Sequence, residues 1–186
     1  MKKKATDLTL VSLFAALTAV GAFIKIPIPF VPLTLQTLMV MFAGLILGSR
    51  LGALSQILYL ATGLMGLPIF AQGGGPGYVL QPSFGFLVGF LFAAYTIGRV
   101  TEGNENLTLP RTLAALFLGQ AVMYLVAIPY LHFILNFVVH KKIPFPTTIK
   151  IGLLIFIPGD LVKTAIAAFV VPPIRQRLLH IRNISN

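Results

Sequence analysis

Ile157-Pro158-Gly159-Asp160-Leu161-Val162-Lys163 sets a carboxylate and an ammonium inside an otherwise apolar run from Ile151 to Val171. A charged side chain near the centre of a bilayer costs about 2.5 to 3.5 kcal/mol on insertion scales, so such residues face a protein interior, pair with each other or meet a polar ligand. Asp160 and Lys163 are three positions apart, which on a helix puts both on one face. Pro158 has no N–H, and its ring displaces the carbonyl four residues earlier, that of Leu154. The segment is therefore expected to kink or restart just before its charges. The plain reading of the pair is a structural ion pair joining two helices; the sharper reading is a ligand contact.

Working outward, the rest of the chain has the same apolar character. Of its 186 residues, 57% are hydrophobic and 10% charged, against about 25% charged in soluble domains. Several runs reach membrane-spanning length and are apolar on every face, which points to helices and not to the alternating strands of a membrane barrel. Cysteine is absent, which excludes disulfides and thiolate chemistry. The expected architecture is one all-α membrane domain, residues 1–186, with six transmembrane helices in a compact bundle embedded in the lipid bilayer.

The first span runs from about Leu8 to Ile24 and is read as retained, although Lys2-Lys3-Lys4 before an apolar run resembles a secretory signal. Its small residues Ser12, Ala15, Ala16, Ala19 and Ala22 suit close helix approach, within the chain or on a partner. Lys25 to Pro32 (KIPIPFVP) cannot continue a helix and favours an extended segment. Thr34, Gln36 and Thr37 follow, as caps for a helix start or, for the longer Gln36, as a ligand contact. Spans two (Leu38 to Leu47) and three (Leu51 to Met65) are short and separated by a turn around Ser49-Arg50, with Gly44, Gly48 and Gly52 at spacings of four suited to close packing. Gly66 to Gly77 (GLPIFAQGGGPG) is rich in glycine yet holds Phe70 and is followed by Tyr78, which fits an ordered lid better than a linker. Span four covers about Phe84 to Ile97. A polar loop from Arg99 to Arg111 holds Glu102 and Glu105, and span five runs from about Leu113 to Val139. A basic loop, His140 to Lys150, leads into span six.

Six spans put both termini on one side, together with nine Lys and Arg (Lys2, Lys3, Lys4, Arg50, Arg99, Arg111, Arg175, Arg177 and Arg182), against Lys25, Lys141, Lys142 and Lys150 opposite. The positive-inside rule then places the termini in the cytoplasm and the proline segment, glycine loop and basic loop together outside, where they can roof a pocket. The formal charge of +10 reads as this topology signal, with no nucleic-acid partner implied.

Catalysis is not expected. There is no G-x-S-x-G, no H-E-x-x-H and no membrane carboxylate dyad, and the glycine loop lacks the Lys-Ser/Thr ending of a P-loop. His132 has no second histidine at ligand spacing, so no metal site is expected and a packed imidazole is the default. What remains is recognition: an anion, a cation, amides and hydroxyls beside aromatic rings.

Pro29 to Thr37 (PFVPLTLQT), the loop Gly66 to Gly77 and above all Ile157 to Lys163 (IPGDLVK) closely resemble the BioY proteins, the biotin-binding S components of energy-coupling factor (ECF) transporters, over nearly the whole chain. Pro82-Ser83-Phe84-Gly85 departs from a pattern closer to Pro-Thr-Gly-Gly and puts a ligand role for Ser83 in doubt. The resemblance implies a cell-membrane protein that captures biotin from outside as transported substrate, with no cofactor, and docks on a transmembrane coupling protein and two ATPase subunits. It further implies that Asp160 accepts from the ureido N–H groups, while Lys163 donates to the ureido carbonyl or balances Asp160. Thr34, Gln36 and Gln81 would add polar contacts, Phe70, Tyr78 and Tyr124 the apolar walls, and Gly73 and Gly74 N–H groups for the carboxylate. Ala15 and Ala19 would face the coupling protein. The competing reading is a stand-alone secondary carrier with Asp160 as a proton or cation relay, for which the internal repeats of such carriers are not evident.

Overall fold

A computed structural model describes residues 2–103 and 107–184, with side chains for 4–103 and 107–177. Glu105 and the side chains of Lys2, Lys3 and Arg182, all used in the sequence reading, lie outside these. Among the described residues, five stretches are long and apolar enough to cross a membrane: Lys4–Phe23, Gln36–Leu64, Phe84–Thr101, Leu109–Val138 and Phe145–Arg177. Their outer faces carry large exposed apolar side chains such as Leu13, Phe92, Leu125 and Phe169, as helices in contact with lipid tails require.

Helix α1 (Lys2–Phe23) is followed by a short antiparallel hairpin, β1 (Lys25–Ile26) and β2 (Leu33–Thr34), with Lys25 opposite Thr34. Of the expected extended segment only Lys25–Ile26 is a strand; the prolines lie in the turn between the strands, where Phe30 has a φ of 69°.

Helix α2 (Gln36–Leu64) is not one rod. Gln36 and Tyr59 would stand about 35 Å apart on a straight helix, yet the Gln36 amide donates to the Tyr59 hydroxyl at 2.8 Å. A Cβ added to Gly52 would lie 3.1 Å from the Ala43 carbonyl oxygen. The chain therefore doubles back, and it does so at Gly48, whose φ of 82° and ψ of −175° are open to glycine and strained for any side chain. The two short spans read from the sequence become the two arms of this helical hairpin. The reversal sits on Gly48 itself, one residue before the expected turn.

Helix α3 (Phe84–Thr101) packs against α2, and α4 (Leu109–Phe133) packs against α3. One wider, π-helical turn, Ile134–Val138, prolongs α4. The basic loop ends earlier than expected, because α5 (Phe145–Ile149) already begins after Pro144 and passes through a second π-helical turn, Lys150–Leu154, towards α6 (Ile157–Ile184). Pro158 lies in the first turn of α6, where its missing N–H would have had no helical partner, so the chain restarts there. Helix α6 also runs past Val171, where the apolar run read from the sequence ends.

The core has two parts. One gathers Tyr59, Phe70, Tyr78, Phe86, Phe90, Met123 and Phe156. The other holds Leu38, Met41, Leu45, Ile97, Leu116, Ala167 and Val171. Asp160 and Lys163 precede Ala167 and Val171 on α6 and face a cavity in the first part.

Candidate binding site

The site is built from the start of α2, the glycine loop, the middle of α3 and α4, and the first turns of α6. Restarting α6 at Ile157 puts Asp160 in the first turn, where unpaired backbone N–H groups and the helix dipole favour an anion. Its own N–H is bonded to the Phe156 carbonyl at 2.9 Å. Asp160 and Lys163 are only 4% and 5% exposed, and their charges are paired: Lys163 Nζ lies 3.0 Å from Asp160 Oδ1. Lys163 also donates to Thr37 Oγ1 at 2.7 Å, and the Tyr124 hydroxyl donates to Asp160 Oδ2. Three helices thus meet at one carboxylate–ammonium pair. A carboxylate offers about four lone-pair sites and an ammonium three protons, so each member keeps capacity beyond these contacts.

The pair borders a cavity of about 440 Å3, its mouth included, whose wall also holds Thr34, Gln36, Tyr78, Ser83, Phe90 and Met123. Phe86 meets Tyr124 edge-on at 6.0 Å and Phe156 at 5.8 Å between ring centres, forming an aromatic wall.

Thr34, Gln36 and Tyr59 form a chain of hydrogen bonds beside it. Thr34 Oγ1 donates to Gln36 Oε1 at 3.0 Å and accepts from the Gln36 N–H at 3.3 Å. The Tyr59 hydroxyl, which takes the Gln36 amide bond, donates to the Ile69 carbonyl at 3.1 Å. The polar wall at the start of α2 is thereby tied to the glycine loop.

That loop is an ordered roof. Phe70 and Gly73 form a bridge, and a 3-10 turn, Pro76–Leu80, follows. Tyr130 of α4 donates to the Val79 carbonyl and Lys25 of β1 to the Ala71 carbonyl. The loop closes tightly because a Cβ at Gly74 would stand 2.1 Å from the Leu67 oxygen. Tyr78 bonds Ser83 Oγ at 3.2 Å. Burial pushes the Tyr78 phenol above its usual range, so it stays neutral.

Of the residues singled out in the sequence, Asp160, Lys163, Thr34, Gln36, Tyr78 and Tyr124 share this cavity. Phe70 stands behind the wall, its ring 4.6 Å from that of Tyr78. Gly73, Gly74 and Gln81 are not part of the wall. The Gly73 N–H is bonded to the Phe70 carbonyl at 3.2 Å, and Gln81 is exposed. Ser83, set aside for its departure from pattern, is on the wall, as are Thr37, read only as a helix cap, and Met123 and Phe156, which no motif marks. Ala15 is turned into the core and Ala19 packs against it, while Ser12 and Ala16 are exposed. His132 is a packed imidazole, 2.9 Å from Thr148 Oγ1, and no group of three metal-ligating side chains occurs among the described residues.

The sequence model of the BioY family matches residues 1–180. The chain belongs to the BioY family. A probable biotin transporter BioY of Lysinibacillus sphaericus is 45% identical over 161 residues, covering 86% of this chain and 82% of that one. A biotin transporter BioY of Thermotoga maritima is 36% identical, covering 85% and 89%. Among solved structures, the S-component for biotin from an ECF-type ABC transporter superposes with a TM-score of 0.78 at 30% identity, covering 94% of this chain and 93% of that one. With its apolar helices, this BioY-family chain is a multi-pass membrane protein, and its cavity is the place to seek a ligand.

Proposed function

We propose that this chain is the biotin-binding membrane subunit, the S component, of an ATP-driven vitamin uptake transporter. The observation that carries the reading is the buried Asp160–Lys163 pair, held by Tyr124 and Thr37 at the wall of an aromatic cavity. Biotin suits that chemistry. Its ureido ring has two N–H groups for the free lone pairs of Asp160 and a carbonyl for Lys163, and its sulfur-containing ring is apolar enough for Phe86, Phe90 and Tyr124. Thr34 and Gln36 add polar contacts, and the tail runs towards the glycine loop.

In this reading the two arms of α2 each count as a crossing, which makes six and puts both termini in the cytoplasm, as the basic residues suggest. The cavity then opens to the outside of the cell membrane when the subunit is undocked. Its partners are a transmembrane coupling protein and two ATPase subunits, met through α1. The exposed flank with Ser12 and Ala16 suits such docking better than Ala15, which supports the fold from inside. Titration of the purified protein with biotin, desthiobiotin and thiamine tests the function. Tight biotin binding with thiamine excluded is expected, and an equal response to biotin and thiamine would overturn it.

A further inference from the structure

We propose that Lys25 recognises the carboxylate of the bound ligand, an assignment that rests on the biotin reading above. Lys25 is not itself on the cavity wall but is joined to two residues that are. Across the β hairpin it is the partner of Thr34, and its ammonium donates to the carbonyl of Ala71 in the glycine loop. Thr34 and Ala71 both line the cavity. That bond uses one of three ammonium protons and engages a neutral oxygen, whereas a carboxylate accepts more strongly.

No protein carboxylate competes. The segments 24–35, 65–83 and 139–156 that surround this end contain no Asp or Glu, and the chain has four in all. Among the described residues, Lys25 forms no ion pair, and it is exposed at the surface. Lys141, Lys142 and Lys150 make no bond to a cavity-wall residue among those described. Of the two expected anion donors, the Gly73 N–H is already bonded to Phe70, and Gly74, like Gly73, is not on the cavity wall. The site is therefore polar at both ends with opposite sense. Asp160 accepts on the wall and Lys25 donates beside the Ala71 edge of the glycine loop, which would set the direction of a ligand with N–H groups at one end and an anion at the other.

The test compares biotin with biotin amide on wild-type protein, Lys25→Gln and Lys25→Arg by calorimetry. Losing one charge-assisted hydrogen bond corresponds to about a 10- to 100-fold weaker affinity. Lys25→Gln is expected to lose that factor for biotin and to bind the amide as the wild type does, while Lys25→Arg keeps the preference for biotin. Equal losses for both ligands would reduce Lys25 to a strut between hairpin and loop, and unchanged biotin affinity would remove it from recognition; either overturns the proposal. If the wild type itself binds neither ligand, the biotin reading fails first, which is a different result.

Discussion

Four features surround the Asp160 carboxylate in its apolar setting: the first-turn position in α6, the Lys163 ammonium, the Tyr124 hydroxyl and the cavity. Asp160→Asn removes the charge and strands a buried ammonium with Thr37 as its remaining partner. Breaking one member of a buried pair costs about 3 to 5 kcal/mol, so biotin affinity is expected to fall by orders of magnitude, measured by titration of the purified variant. Tyr124→Phe removes one bond to a charged group, worth about 1.5 to 3 kcal/mol, and is expected to weaken binding less than Asp160→Asn while keeping the same ligand order. Asp160 and Lys163 were legible in the sequence because charge stands out against hydrocarbon. Thr37 was read as a helix cap, and its bond to Lys163 was not legible, since the two lie 126 positions apart. Tyr124 was expected as an apolar wall, and its hydroxyl turns out to be a donor to Asp160.

Among the elements, the helical hairpin of α2 depends on a residue from another helix. Glu102, just past α3, accepts the Ser49 N–H at 2.8 Å and the Ser49 hydroxyl at 2.5 Å. It caps the second arm where orphan N–H groups gather. In the sequence Glu102 is one acid in an ordinary polar loop, and only packing of α3 on the reversal gives it this role. The Ser49 hydroxyl bond, followed by lesser help from the Ser49 N–H and Arg99, holds its carboxyl below the usual range against the opposing effect of burial. A depressed folded-state value adds stability above the unfolded pKa that is lost as pH falls through the folded one. The melting temperature in detergent is therefore expected to drop in acid below about pH 4.3, and Glu102→Gln should flatten that part of the profile. Glu102→Ala should cost about 1 kcal/mol at neutral pH, as loss of a cap does. An acid profile identical in wild type and Glu102→Gln would show that the cap does not titrate with folding.

For the whole molecule, the cavity end and the opposite end carry different duties. The cavity end holds the roof, tied down by Tyr59, Tyr130 and Lys25, and the other end closes on aliphatic packing around Leu45, Ile97 and Val171. A tag on either terminus is expected to be reached by protease from the cytoplasmic side alone; cleavage only from outside would invert the topology. Ala16→Trp is expected to leave biotin binding intact and to abolish docking and energised uptake, whereas Ala15→Trp would overfill the core and lower stability. Uptake driven by an ion gradient in vesicles holding only this chain would favour a secondary carrier instead.

Composition alone determined that the chain belongs in a membrane, because so many apolar residues with so few charges have no soluble solution. Its motifs determined the family, and the misfit charges on α6 determined where to look for a ligand. Those are local properties, readable along the chain. The reversal at Gly48, the partners of Asp160, the inward turn of Ala15 and the bond from Lys25 to the loop were decided only when distant segments packed together. Hydrogen bonding and burial depend on which side chains meet across helices, and neither spacing nor hydropathy carries that information.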